Sequence, residues 1–546
     1  MKYFNKFSIA ALGLLTLASC SDMDEQLPEG NTVTESQLEE ITAAVPERVA
    51  ADLQGLYSYT GQAFAVFGSA SGRHDDFGYP AICLSFDLNS ADMVCDNVGY
   101  NWFSVSSEYS DRTPNYANPY MRYTFFYNQI RSANDLMLSI DPETEDATLR
   151  SYLGQAYAMR AFDYLNLAPY FQFSYKGHED DPCVPLVTNE TPDFSNNPRA
   201  TMREVYGLIV DDLTKAIDLL DGYTRTSKAN IDQKVAYGLR ARAYLAMSMW
   251  AEAAADAEKA MEGYTPASIE EVAVPTFVRI DEPNWLWGII LEEDKVAAFI
   301  NSAGQLGSFS GHSYTAAVSV YKRINSLLFD KIPDTDVRKG WWVDADLHSA
   351  NLENIDWDGA TGDDISYLEI EDVKTEFQPY ANVKFGMKNG IGSVTNNNDW
   401  PLMRVEELIL IQAEGLAKSG NEAQAKQVLN DFVRTYRDPA YDCSSLSGVD
   451  LHNEIWKQRR IELWGEGFAM ADVMRLGKPV VRIHGSNKAN WPDAFAFNIA
   501  SNDPWLLMRF PDSETETNQG VTTKDNAAGS QPKAGQNADL LDGVTN

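Results

Sequence analysis

From Val45 onward apolar side chains recur at three- and four-residue spacing through long stretches, separated by loops rich in Gly, Pro, Asn and Asp. That period predicts amphipathic helices, with strands few and short. Three stretches share one grammar, a pair of helices with small residues at regular helical positions. The clearest is 232–262, where Ala241, Ala253, Ala257 and Ala260 mark faces narrow enough for two antiparallel helices to approach closely. In 404–436, Ala413, Ala425, Leu429 and Phe432 repeat the offsets, and Gly420 in Lys418-Ser419-Gly420-Asn421 supplies the helix stop. The third, 149–221, opens with Leu153-Gly154 and Tyr157 and places its second helix after a loop through Pro182, Pro185, Pro192 and Pro198.

These offsets match those of a tetratricopeptide repeat, in which small residues and one aromatic, here Tyr244, set the packing of a helical hairpin. A single match is equally an ordinary helix pair; three along one chain argue for a repeat scaffold. The expected fold is mainly α, one body over 45–511 with these hairpins as scaffold and loop-rich insertions at about 60–120 and 275–400. Within the second insertion, 276–291 carries Phe277, Val278, Trp285, Trp287, Ile289 and Ile290 in a pattern compatible with short strands. Residues 512–546 are rich in Thr, Asn, Asp and Gly, which predicts a mobile polar tail.

The first residues bear on where this body works. Lys2 and Lys6 precede an apolar run from Ile9 to Leu17, followed by Ala18, Ser19 and Cys20. The run is shorter than the roughly 20 residues of a membrane span and reads as a secretory signal over 1–19. A Leu three places before Cys20, with small residues between, predicts cleavage before a lipid-modified cysteine. The acidic stretch from Ser21 to Gly30 then begins a flexible tether over 20–44. The chain of 546 residues carries a formal charge of −35, without a dense basic stripe, which argues against nucleic acid as a partner. Cys83, Cys95, Cys183 and Cys443 form no CxxC pair and read as isolated buried thiols, with Cys83 and Cys95 the nearest candidates for a disulfide. The six histidines form no metal motif, so no cofactor is expected; the sequence leaves structural calcium open.

The segment Arg459-Arg460-Ile461-Glu462-Leu463-Trp464-Gly465-Glu466-Gly467, continuing to Asp472 and Arg475-Leu476-Gly477, resembles the most recognisable stretch of the RagB/SusD family. Trp400-Pro401-Leu402-Met403-Arg404 leading into Gln412-Ala413-Glu414-Gly415 is similar to its Ala-Glu helix entry. Ala158-Met159-Arg160-Ala161-Phe162 and Leu239-Arg240-Ala241-Arg242-Ala243 resemble its earlier helices, and Leu507-Met508-Arg509-Phe510-Pro511 its C-terminal segment. Val405 stands where an aromatic is usual, Ala469 where Arg is frequent, and the chain continues past Asn518. The resemblance implies a lipid-anchored, surface-exposed outer-membrane protein that captures a glycan without catalysis and serves as a lid on a SusC-like TonB-dependent transporter. Two other classes remain open, a repeat scaffold that binds another protein, and capture of a peptide or glycopeptide.

Candidate residues are suggested by the chemistry of sugars, whose apolar C–H faces stack on exposed rings while polar neighbours satisfy the hydroxyls. Tyr100, Asn101 and Trp102 lie in the polar run Asp96 to Phe103, and Arg73 precedes His74 and Asp75 in a Gly-flanked loop. Tyr314 follows a Gly/Ser-rich stretch at 301–311 and His312; Trp341, with Trp342, follows Asp336-Val337-Arg338. Large aromatics are more often core, and Trp285, Trp287, Trp250, Trp456 and Trp464 are expected there. The Arg/Glu set at 459–466 is expected to pair along its own helix at i,i+3 and i,i+4. With 79 acidic residues, a carboxylate pair at the roughly 5 to 10 Å of a glycosidase arises by chance and does not indicate catalysis. No hydrolase elbow, Walker loop, zinc-protease or dinucleotide motif is present.

Overall fold

Small side chains set the distance between the helices. Gly415 lies so close to the next helix that a β-carbon there would fall 2.4 Å from the Trp250 carbonyl oxygen and 2.9 Å from the Ala254 β-carbon. Ala253, Ala257 and Ala260 on that neighbour are fully buried. The computed structural model describes residues 46–97, 102–191, 193–297, 299–311, 313–315, 320–352, 356–357, 360–361, 367–370 and 373–546. Cys20, the signal over 1–19 and the tether over 20–44 lie outside them.

The principal helices are α1 (Pro46–Thr60), α2 (Tyr79–Asn89), α3 (Ala117–Leu138), α4 (Ala147–Phe171), α5 (Met202–Leu219), α6 (Gln233–Ala246), α7 (Trp250–Met261), α8 (Val405–Lys418), α9 (Glu422–Tyr436), α10 (Gly448–Glu462) and α11 (Ala469–Arg475). Their starts are set by capping. Asp146 accepts from the Thr148 and Leu149 amides, Thr201 and Glu204 form a reciprocal capping box, and Asp232 accepts from the Val235 amide. From α3 to α8 each helix packs on the next, and α9 and α10 both pack on α8. The three expected hairpins are therefore the pairs α4/α5, α6/α7 and α8/α9, an arrangement consistent with tetratricopeptide-type stacking.

The strands are short. Trp285–Ile289 (β1) pairs antiparallel with Trp400–Arg404 (β2), with Trp400 opposite Ile289 and Arg404 opposite Trp285. This pairing seats the loop-rich insertion on the scaffold, because β2 runs directly into α8. Trp285 and Trp287 are buried in the main core; Cys83, Cys95, Cys183 and Cys443 are buried as well, all four as free thiols.

The Arg/Glu set at 459–466 forms a buried ion network, but its pairs do not run along the helix. Arg459 bonds Asp472 at 2.9 Å, and Arg460 reaches Asp92 at 2.6 Å and Asp542 at 2.8 Å. Glu462 takes Arg437, Arg404 and Arg338, while Glu466 takes Arg404 at 2.8 Å and Lys384 at 2.7 Å. Each side chain faces a different packed neighbour, so partner choice is decided by tertiary contact and overrides helical spacing. Burial alone would raise the Glu462 carboxyl; Arg437, Arg404 and Arg338 outweigh it and hold the group well below the ordinary carboxylate range. Through Lys384 and Arg338 the network fastens the insertion to α10.

The polar tail departs from expectation as well. Val521 is fully buried, the Asn518 side-chain amide exchanges two hydrogen bonds with the Asn197 backbone at 2.7 and 2.8 Å, and Asp542 completes the Arg460 site. Its composition predicts mobility because it is rich in Thr, Asn, Asp and Gly and has no aromatic residue; it is held instead by these polar contacts together with Val521, which enters the main core.

Candidate ligand-binding site

The loop after α1 is shaped around one buried carboxylate. Asp76 accepts from the Val66 amide at 3.1 Å and the Phe67 amide at 2.9 Å, and its carbonyl takes the Phe64 amide at 2.6 Å. These bonds fold 64–76 back on itself and present Phe67 and Arg73 on the same side. Arg73 is clamped by two bonds to the buried Asp75, at 3.0 and 2.7 Å, which fixes the plane of the guanidinium and neutralises its charge. That plane lies 5.3 Å from the Phe67 ring centroid and 5.4 Å from that of Trp102.

His74 is the hub at which rings from three loops meet. Its ring stacks on Trp102 at 5.5 Å and 14°, lies nearly parallel to Phe299 at 6.3 Å, and meets Tyr314 edge-on at 5.0 Å. Phe299 and Tyr314 touch each other at 5.3 Å, and Phe67 contacts Tyr120 at 5.4 Å. The result is a half-buried arc running Tyr120, Phe67, Arg73, Trp102, His74, Phe299 and Tyr314. The flanks hold it. Phe103, next to Trp102, is buried edge-on against Phe77 at 5.8 Å, and the Gln305 amide donates to the Phe299 carbonyl at 2.9 Å. Burial lowers the His74 pKa below the ordinary histidine value, with Asp75 opposing, so the imidazole is neutral at neutral pH. Its Nδ1 is buried without a hydrogen-bond partner among the described protein atoms.

Of the six residues singled out from the sequence, Arg73, Trp102 and Tyr314 meet in this arc although they come from three separate loops. Tyr100 and Asn101 lie outside the described residues, as does His312. Trp341 is elsewhere: it is 0% exposed, donates from Nε1 to the Val272 carbonyl at 2.9 Å, and packs edge-on against Phe277 at 5.4 Å. It is a core residue, and so is Trp342 against Trp464. Phe67 and Phe299 escaped sequence reasoning because aromatics beside Ala and Val read as core, and Tyr120 because it stands in the first turn of a long helix, α3. The Gly68 that follows Phe67 is the one local signal of a surface loop. Chemically the arc offers flat apolar faces next to a fixed guanidinium and a neutral imidazole, the pairing that a polyhydroxylated ring requires. By contrast, Glu406, Glu462 and Glu466 are buried and ion-paired, so no substrate reaches them. Among the described residues no His, Cys, Asp and Glu group is arranged to hold a metal ion.

Comparison with known proteins gives a consistent result. A family model described as "Starch-binding associating with outer membrane" matches residues 85–245, and one described as "SusD family" matches 370–539. A SusD-like protein of Formosa agariphila is 23% identical over 391 residues, covering 67% of this chain and 74% of the relative. Among solved structures, a SusD-like carbohydrate binding protein from Bacteroides vulgatus is 25% identical with a TM-score of 0.69, covering 89% of this chain and 98% of that one. A laminarin binding SusD-like protein shares the fold, at 18% identity and a TM-score of 0.57 over 87% of this chain and 98% of its own.

Proposed function

The chain belongs to the SusD/RagB family, whose models span both its N-terminal helices and its C-terminal third, and from that premise we propose that it captures a glycan at the cell surface and passes it to a SusC-like TonB-dependent transporter. In this reading Cys20 carries the lipid that attaches it to the outer membrane, and binding is reversible and without turnover. The single observation that carries the glycan reading is the convergence of Arg73, Trp102 and Tyr314, with His74 between them, into one half-buried arc. Stacking on Trp102 and Tyr314 supplies affinity, and Arg73 and His74 orient the hydroxyls. Closure of the protein over its transporter supplies containment. No helix among the described residues is long and apolar enough to cross a membrane, so attachment through Cys20 is part of the proposal.

Purified protein lacking residues 1–20, applied to immobilised laminarin, starch, mannan and xylan, is expected to bind at least one and release no reducing sugar from it. Reducing-sugar release would overturn the non-catalytic reading. Absence of binding to every glycan, with capture of a peptide or protein instead, would overturn the glycan reading.

A further inference from the structure

A groove runs along one face of α1. Ala50, Gln54 and Ser58 succeed each other at helical spacing, so they lie on one side of the helix, over about 12 Å at 1.5 Å per residue, and Gly61 follows directly after the helix ends. Facing them is the connection between α5 and α6. The groove consists of two consecutive cavities. The first, of about 630 Å³, lies between α1, the first turns of α4 and residues 219–226; the second, of about 440 Å³, lies between α1, residues 227–230 and β1. Gln54 and Asn230 line both, which makes them halves of one channel, each within the roughly 300 to 1,000 Å³ of small-molecule sites.

The lining identifies the chemistry. Tyr152 and Tyr223 are half-buried and supply ring faces, while Thr148, Thr226, Gln54 and Asn230 supply neutral donors and acceptors. The formal charges come as one cation and one anion per cavity, Arg150 with Asp221 and Lys295 with Glu292, the latter pair bonded to each other at 2.7 Å. In a chain of formal charge −35, an almost uncharged groove that combines rings with hydroxyls and amides suits a neutral polyhydroxylated chain and offers no cluster of cations for an acidic one. The wall is preorganised: the Tyr57 hydroxyl donates to Gln155 at 2.7 Å and accepts the Ile231 amide at 3.0 Å, joining α1, α4 and the facing loop.

One end of the groove is also close to the arc along the chain. Ala63 and Lys295 line its far end, and four residues further along each of these segments stand Phe67 and Phe299, both members of the arc. We propose that this groove is a second carbohydrate-contacting site, which holds the continuation of a neutral oligosaccharide whose other part rests on the arc. The inference rests on the reading of the arc as a glycan site.

Its test compares a disaccharide and an octasaccharide of laminarin, amylose, mannan and xylan by titration against the wild type, Trp102→Ala, Tyr223→Ala and Gln54→Trp. Gln54 is exposed, so its replacement plugs the junction of the two cavities without disturbing the core. The wild type is expected to bind the octasaccharide at least about tenfold tighter than the disaccharide. Gln54→Trp and Tyr223→Ala should each remove most of that advantage and leave the disaccharide unchanged. Equal affinity for both lengths, or an advantage untouched by both groove variants while Trp102→Ala weakens both ligands, overturns the groove and leaves the arc standing. Groove variants that abolish binding while Trp102→Ala does nothing overturn the arc, and with it the proposed continuity. Binding of no glycan by the wild type overturns both.

Discussion

Lys384, Arg404 and Glu466 meet inside the core, each of them buried, so each charge depends on the others. Lys384 donates to the Glu462 and Trp464 carbonyls at 2.9 and 2.8 Å and to Glu466 at 2.7 Å, and Arg404 grips the same carboxylate. Glu466→Gln leaves two buried cations facing a neutral amide and is expected to cost about 3 to 5 kcal/mol in denaturant unfolding, the range for breaking a buried pair on one side. Removing the exposed pair Lys295 and Glu292 should leave the unfolding midpoint where it is. A Glu466→Gln protein as stable as the wild type would mean that the network is weaker than its geometry implies. At this scale the sequence was informative about character more than partner. Arg73, Trp102 and Tyr314 stood out because each sits in a polar or glycine-rich loop, and they do meet. Trp341 stood out for the same reason and is core, since a loop rich in Asp and Asn can still bury large rings, here Trp341 and Trp342 together. Phe67 and Phe299 gave no signal, because an aromatic among aliphatic neighbours looks alike on either side of the surface.

At the scale of elements, the close approach of α7 and α8 is exposed to a single methyl group. Gly415→Ala pushes a β-carbon against the Trp250 carbonyl at 2.4 Å and against Ala254. The backbone at Trp250 yields less readily than a side chain, so the expected loss is about 1 to 3 kcal/mol in unfolding free energy, with the fold retained. An unchanged midpoint would contradict the stated helix separation. The helix pairs themselves were legible, because alanine at helical spacing has a direct geometric consequence. The strands were legible only in part: Trp285 to Ile289 carries a strand-like pattern, whereas its partner begins Trp400-Pro401 and passes straight into a helix. The Arg/Glu pairing was not legible either, since spacing along α10 says which charges are neighbours on the helix and nothing about which packed surface each one faces.

At the scale of the whole molecule, buried carboxyls of two kinds set the response to acid. Burial pushes Asp87 and Glu282 up to about 7, so between their unfolded values and that point the native state holds more protons, and stability falls as pH rises through the window. Burial would also raise Glu414 and Glu462, but Arg475 and Lys418 around the first, and Arg437, Arg404 and Arg338 around the second, hold both well below 4.5. Their contribution is complete above that unfolded value and is lost as pH falls beneath it. Denaturant midpoints are therefore expected to be higher at about pH 5 than at about pH 7.5, and to drop steeply below about pH 4; a monotonic rise from acid to neutral would contradict the assignment of Asp87 and Glu282. Composition misled most at this scale, where a polar tail without a single aromatic residue proved to be anchored through Asn518 and Asp542 to partners that precede it in the chain by hundreds and tens of residues. Whether the arc around His74 holds a glycan is decided most sharply by isothermal titration of one bound glycan against the wild type and Trp102→Ala. The variant is expected to bind at least about tenfold more weakly, about 1.4 kcal/mol, with an unchanged unfolding midpoint; equal affinity for the two proteins would contradict a glycan site at the arc.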